Sequence, residues 1–149
     1  MELWELSARE EIRETLARYH HCGDSGRFTD MAALFAVDGV LEIHGEGAHN
    51  GRAAIVEFLT GVNRDVRAMS DVPMLRHYST NVTITVTSPQ EATAASAFLV
   101  LTDSALDHWG RYRDRLVPED GAWRFAHRLV RTDGYAPDGW AIRRQRPPA

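Results

Sequence analysis

The chain contains no lysine; all seventeen of its basic residues are arginine. Without a lysine amine, Schiff-base chemistry through that side chain is excluded, and the skew itself reads as compositional bias rather than mechanism. Cysteine is almost as scarce. Cys22 stands alone, which rules out an internal disulfide and any cysteine-based metal cluster. A nucleophilic role for it needs a depressed thiol pKa, so it reads more simply as a small buried hydrophobe. No apolar run approaches the roughly 20 residues that span a bilayer. The stretch Met1-Glu2-Leu3-Trp4-Glu5 has neither the basic nor the apolar region of a secretory signal. The expectation is a chain with no membrane segment and a cytoplasmic location. Positive charge is also in deficit. A formal charge of −4, with no basic stripe, argues against a nucleic-acid partner.

What is present suits one globular domain. A length of 149 residues, 44% apolar and 26% charged, is enough to bury a real core. We expect a single domain over residues 1–142 and a basic tail, 143–149, frayed or laid against a partner subunit.

Ser7-Ala8-Arg9-Glu10 has the form of a capping box. Behind it Ile12, Leu16 and Tyr19 fall on one helical stripe. The spacing predicts a first helix over about Ala8–His21, stopped at Gly23, then a turn at Asp24-Ser25-Gly26. A short second helix is expected over about Thr29–Phe35, a tight turn at Asp38-Gly39, and a strand over Val40–His44. Gly45–Gly51 reads as a loop without the spacing of a phosphate motif. A third helix starts at Arg52, with Ile55, Phe58, Leu59 and Val62 as its apolar face. Asn63–Met74 reads as an irregular rim. The second half alternates as strands: Thr80–Thr87, Glu91–Thr102, His108–Val117 and Trp123–Thr132. Short connections between them suggest an antiparallel meander, and helices followed by such a sheet make an α+β fold with a pocket between its layers.

The candidates for chemistry are Asp24, His44, His77, His108, Tyr112 and Arg128. Taken singly, Asp24 is a turn aspartate and His77 a histidine at the start of a strand. Alternation puts His108, Gly110 and Tyr112 on one face of their strand, and Arg111, Arg113 and Arg115 on the other. Three arginines do not line an apolar interior, so His108 and Tyr112 point inward and the arginine face meets solvent or an interface. In the last strand Trp123, Phe125, His127 and Leu129 share one parity, and Ala126, Arg128, Val130 and Thr132 the other. If the second set faces inward, Arg128 offers a fixed cation; if not, it is a surface residue. One conflict stands. Alternation from Val82, Ile84 and Val86 sets His77 on the opposite face unless the strand starts at Thr80 or a bulge resets the register. No His-x-His or His-x3-His pair on a suitable element speaks for a metal site.

Five pieces together resemble the SnoaL-like branch of the nuclear-transport-factor-2-like superfamily. They are Ile12-x6-Tyr19-x4-Asp24, Ala33-Leu34-Phe35-Ala36-x-Asp38-Gly39-Val40, Gly51-Arg52-Ala53-Ala54-Ile55, His77-Tyr78-Ser79-Thr80-Asn81 and Asp120-Gly121-Ala122-Trp123-Arg124-Phe125. The resemblance covers about residues 5–135. It implies a cone-shaped, curved antiparallel sheet wrapped over three helices. Asp24 and His77 are similar to the Asp–His dyad of scytalone dehydratase and hexachlorocyclohexane dehydrochlorinase, members that work without a cofactor. By the same comparison His108 and Arg128 join the catalytic set, and Tyr112, Phe98, Val100, Thr132 and His44 line the substrate pocket. His108 departs from the dehydrochlorinase, which is apolar there, and is similar to a second histidine of the dehydratase. The implied function is a cofactor-free lyase or isomerase acting on a small hydrophobic, cyclic or aromatic substrate; the arginine face and the basic tail point separately to a homo-oligomer (dimer or trimer). The other reading is a non-catalytic module, like the β subunit of ring-hydroxylating dioxygenases. That reading requires a filled cavity and an Asp24–His77 separation beyond hydrogen-bond reach.

Overall fold

The computed structural model describes residues 1–145. Helix α1 spans Leu3–Asp24 and buries Ala8, Ile12, Leu16, Tyr19 and His20 along one side. It is longer than the capping box implied. Ser7 lies inside the helix and donates its hydroxyl to Glu11 rather than to a backbone terminus, while a Glu5–Arg9 pair supports the extra turn. The helix passes Gly23 and is capped at Ser25, and Gly26 takes the left-handed conformation that ends it.

Helix α2 is only Phe28–Ala32. Phe35 already begins strand β1, Phe35–Ile43, which contains the expected Asp38-Gly39 turn as a bulge. Gly39 is required there. A Cβ would stand 2.7 Å from the Phe125 carbonyl oxygen. The glycine-rich segment holds strand β2, Gly47–Asn50, hairpinned onto β1. Helix α3, Arg52–Arg67, takes in the first part of the expected irregular rim. Strands β3 (Leu75–Ser88), β4 (Glu91–Thr102), β5 (Leu106–Glu119) and β6 (Ala122–Tyr135) form the predicted meander. Asp120 and Gly121, both at positive φ, make the two-residue turn between β5 and β6. A fourth helix, α4 (Trp140–Gln145), was not expected. It runs across the boundary drawn at residue 142, so Arg143–Gln145 are helical, and the end of the expected tail lies outside the described residues.

The sheet order is β2-β1-β6-β5-β4-β3. All neighbours are antiparallel except β1 and β6, which pair in parallel, so the sheet is mixed rather than wholly antiparallel. The architecture is the expected α+β cone, with a six-stranded curved sheet over the helices. Ile12, Phe35, Leu41, Ile55, Leu116 and Phe125 form the sealed centre between the layers. Each such side chain contributes about 1.5–3 kcal/mol by leaving water. Arg111, Arg113 and Arg115 are exposed on the outer face, beside an exposed row of Tyr78, Leu99 and Trp109. Among the described residues, no helix is long and apolar enough to cross a membrane.

Candidate active site

One end of the cone opens into a cavity of about 980 Å³ between the sheet, α1, α3 and α4. Asp24 reaches it from the last turn of α1, and His77 from the start of β3. The Asp24 carboxylate lies 2.7 Å from His77 Nδ1 and also accepts the His77 backbone N–H, at 3.2 and 3.3 Å to its two oxygens. Arg76 Nε stands 3.6 Å from the same carboxylate. An ionised carboxylate only accepts, so in this contact the ring donates its hydrogen from Nδ1.

The register conflict at His77 is resolved by a bulge. Pairing with β4 slips between Thr80 and Thr83, and Asn81 takes a left-handed φ of 55° there. His77 and Ser79 therefore share the inner face with Ile84, although a plain alternation forbids it.

His77 pairs in register with Val100, and Val100 with His108 across the next strand. The two histidines thus occupy one inward row, separated by two strand spacings, about 10 Å at the backbone. His108 Nδ1 lies 2.7 Å from Asp107 Oδ2. Asp107 is itself buried and accepts the Trp140 and Ala141 amides at the start of α4. Burial lowers the His108 pKa, only partly offset by Asp107, so the ring is neutral at pH 7, and His108 lines the cavity.

Tyr112, Phe98, Thr132 and His44 all line the cavity. Phe98 lies flat across Gly110, where an added Cβ would stand 2.8 Å from its ring. Burial raises the Tyr112 pKa, so its phenol keeps its hydrogen and can donate.

Two expected site residues are placed differently. Val100 is fully buried in a small cluster with Phe98 and Tyr112 and does not line the cavity; it spaces the two histidines from below. Arg128 does face inward, because Ala126 is bulged out of the β5 pairing, which lets Phe125 and Arg128 point the same way. Neither of the two parities holds along the whole strand. Arg128 is not on the cavity wall, however. It is sealed from solvent, binds both Asp114 oxygens at 3.0 and 3.1 Å, and is flanked by the rings of Tyr19, Tyr112 and Phe125. Its charge is spoken for beneath the site. Burial pushes the Asp114 carboxyl above its usual range, and the adjacent guanidinium works against that push.

A family model described as a SnoaL-like domain matches residues 4–129. The chain belongs to the SnoaL-like family. Among solved structures, a Novosphingobium aromaticivorans protein bearing the provisional name scytalone dehydratase is 25% identical, with 89% of each chain covered and a TM-score of 0.78. Rv3472 of Mycobacterium tuberculosis, of unknown function, is 29% identical over 90% of this chain and 76% of its own, with a TM-score of 0.76. The hexachlorocyclohexane dehydrochlorinase LinA, type 2, shares the fold at 18% identity, with 91% of each chain covered and a TM-score of 0.78. No functionally curated protein matches the sequence.

Three residues that pack in or beneath the site, His20, Asp114 and Asp107, stand outside the expected catalytic and pocket set. His20 is buried and stacks on His77, with ring centroids 5.3 Å apart and planes 16° from parallel. It continues the Ile12–Leu16 stripe by one further helical step of four, so its inward direction was readable. Asp114 shares the inward parity of Tyr112 and was equally readable. Asp107 was not, since its role depends on a helix absent from the predicted elements. Among the described residues, no group of three or more His, Cys, Asp or Glu side chains is arranged to hold a metal ion.

Proposed function

We propose that this SnoaL-like protein is a cofactor-free lyase or isomerase that moves protons with Asp24 and His77 on a small hydrophobic, cyclic or aromatic substrate. The observation that carries this is the 2.7 Å bond from Asp24 to His77 Nδ1 at the wall of a cavity large enough for a ring-sized ligand. His77 Nε2 removes a proton from a carbon next to a carbonyl. The C–H electron pair moves toward the carbonyl oxygen, and Asp24 stabilises the imidazolium that forms. Positioned acid–base catalysis of this kind contributes roughly 10²–10⁴-fold.

The developing oxyanion needs a donor, and the Tyr112 hydroxyl supplies it. His108 suits a different task. With its Nδ1 hydrogen committed to Asp107, it offers a lone pair to a substrate hydroxyl. The proton on His77 then returns either to a departing hydroxyl, with net loss of water, or to another carbon, with net isomerisation. Arg128 enters this scheme beneath Tyr19 and Tyr112, not as a contact to substrate.

The reading as a non-catalytic module requires a filled cavity and a distant Asp24 and His77, and the geometry speaks against both. The test is deuterium exchange, followed by NMR in D₂O, into the α-carbon of a panel of cyclic ketones and hydroxyketones. Wild-type protein should exchange at least one of them and His77→Gln should not. Exchange that survives in His77→Gln, or fails in wild type across the panel, rejects the proposal.

A further inference from the structure

At the cavity, helix α1 and strand β3 are joined by two adjacent rungs, Asp24–His77 and His20–Ser79, and the proposed reaction uses only the first. Asp24 bonds His77, and one helical turn earlier His20 Nε2 lies 2.6 Å from Ser79 Oγ. The spacings match. Four residues of helix rise about 6 Å and two residues of strand about 6.6 Å, so His20/Asp24 and Ser79/His77 face each other pair by pair. The Asn81 bulge ends this inward run immediately after Ser79.

We propose that His20 is a positioning residue for His77: clamped by Ser79, its neutral ring covers one face of the His77 imidazole, fixes its plane against Asp24 and limits its hydration. This rests on the reading of His77 as the base, and concerns how that base is held. Three observations support it. The rings are nearly parallel. His20 is further wedged by Tyr19, edge-on at 5.3 Å, and by Tyr112, tilted at 5.5 Å. It is also buried where a second positive charge would be unwelcome. Burial first, then the Arg128 and His77 charges, push its pKa down to about 2, so it stays neutral when His77 gains a proton.

The ionisable groups facing His77 come from several elements. Asp24 and His20 project from α1, Arg76 from β3, His108 and Tyr112 from β5, and Arg128 lies beneath on β6. From β4, Val100 and Phe98 present only apolar surface. Among the described residues, His20 is the one ring stacked on His77, and its loss would admit water without removing a charge.

The test reads the His77 imidazole directly, by ¹⁵N and ¹³C NMR titration of the full chain, and needs no substrate. His20→Ala should raise the His77 midpoint by about half a unit or more as water reaches the ring, and broaden its signals. His20→Phe keeps a flat neutral cover and should hold the midpoint within about 0.2 unit of wild type. Ser79→Ala should broaden the His77 signals through the loosened His20 ring. A His77 midpoint that is unchanged or lowered in His20→Ala, or that moves as far in His20→Phe, overturns the inference. Asp24→Asn is the separate arm. If it shifts the His77 titration and His20→Ala does not, the dyad stands and only the His20 role falls. If Asp24→Asn shifts nothing, the dyad itself is wrong.

Discussion

Two carboxylates, each bonded to a basic side chain, pack against the same sheet, and their surroundings separate them. Asp114 and Arg128 have no side-chain exposure at all, while Asp24 and His77 keep 13% and 25% of theirs. In the sealed pair neither member can change charge without leaving the other unpaired in the interior, a large penalty. Asp114–Arg128 is thus a fixed strut that also props Tyr19 and Tyr112 from behind. In the half-open pair both residues line the cavity, so under the proposed function a proton can arrive and leave. Burial is what separates the two pairs.

The sharpest way to break this contrast is to neutralise the open pair. Asp24→Asn should lower turnover roughly 10²–10⁴-fold, while calorimetry finds the melting temperature within a few degrees of wild type. A large melting shift with activity retained would make Asp24 the strut instead. The sealed pair should behave in the opposite way. Arg128→Met strands a buried carboxylate and should cost about 3–5 kcal/mol, about 10 °C in melting temperature for a chain of this size. The double variant Arg128→Met/Asp114→Leu should recover much of that loss, because it removes both charges at once.

Acid sharpens the comparison further. His20 has an ordinary pKa of 6.5 when unfolded and is held near about 2 in the fold. Between those values the unfolded chain binds a proton that the native chain does not. Stability therefore rises with pH across this window and is lost as pH falls below about 6.5, by about 1.4 kcal/mol per unit. Burial of His108 acts in the same direction. From pH 6.5 to 5, His20→Phe should lose about 2 kcal/mol less stability than wild type in denaturant titrations at each pH. Equal losses would mean that His20 is not held neutral.

Asp107–His108 lies between the two extremes, with 2% and 13% exposure, and carries the smallest expected effect. Asp107→Ala removes the acceptor for the α4 amides and should cost about 1–2 kcal/mol. Hydrogen exchange should quicken in Trp140–Gln145 and leave α1 unchanged. Uniform quickening would show that Asp107 supports the whole fold.

Much of the fold was legible because the period of a sequence survives folding. The stripe Ile12–Leu16–Tyr19, the alternation of His108, Gly110 and Tyr112 against three arginines, and the limits of β4 all carried over to the structure. Legibility stopped wherever the period is broken. Bulges at Asn81 and Ala126 each shift a strand by one residue, and one residue reverses every side chain beyond it. Helix boundaries failed for a related reason: Ser7 and Gly23 have the right chemistry for caps, yet packing along α1 carries the helix past both.

From the sequence alone came the residue types and their local faces: an imidazole at the start of β3, an aspartate in the turn after the first helix, and a tyrosine turned inward on β5. Those follow from chemistry and periodicity, which need no partner strand. What only the tertiary structure decided is which of them meet. Pairing across fifty-three residues, from Asp24 to His77, depends on the end of α1 packing against the start of β3. The neutrality of His20 and the sealing of Arg128 are likewise properties of burial, which no residue possesses by itself. The β3 bulge at Asn81, four residues after His77, likewise decided that His77 shares the inner face with Ile84.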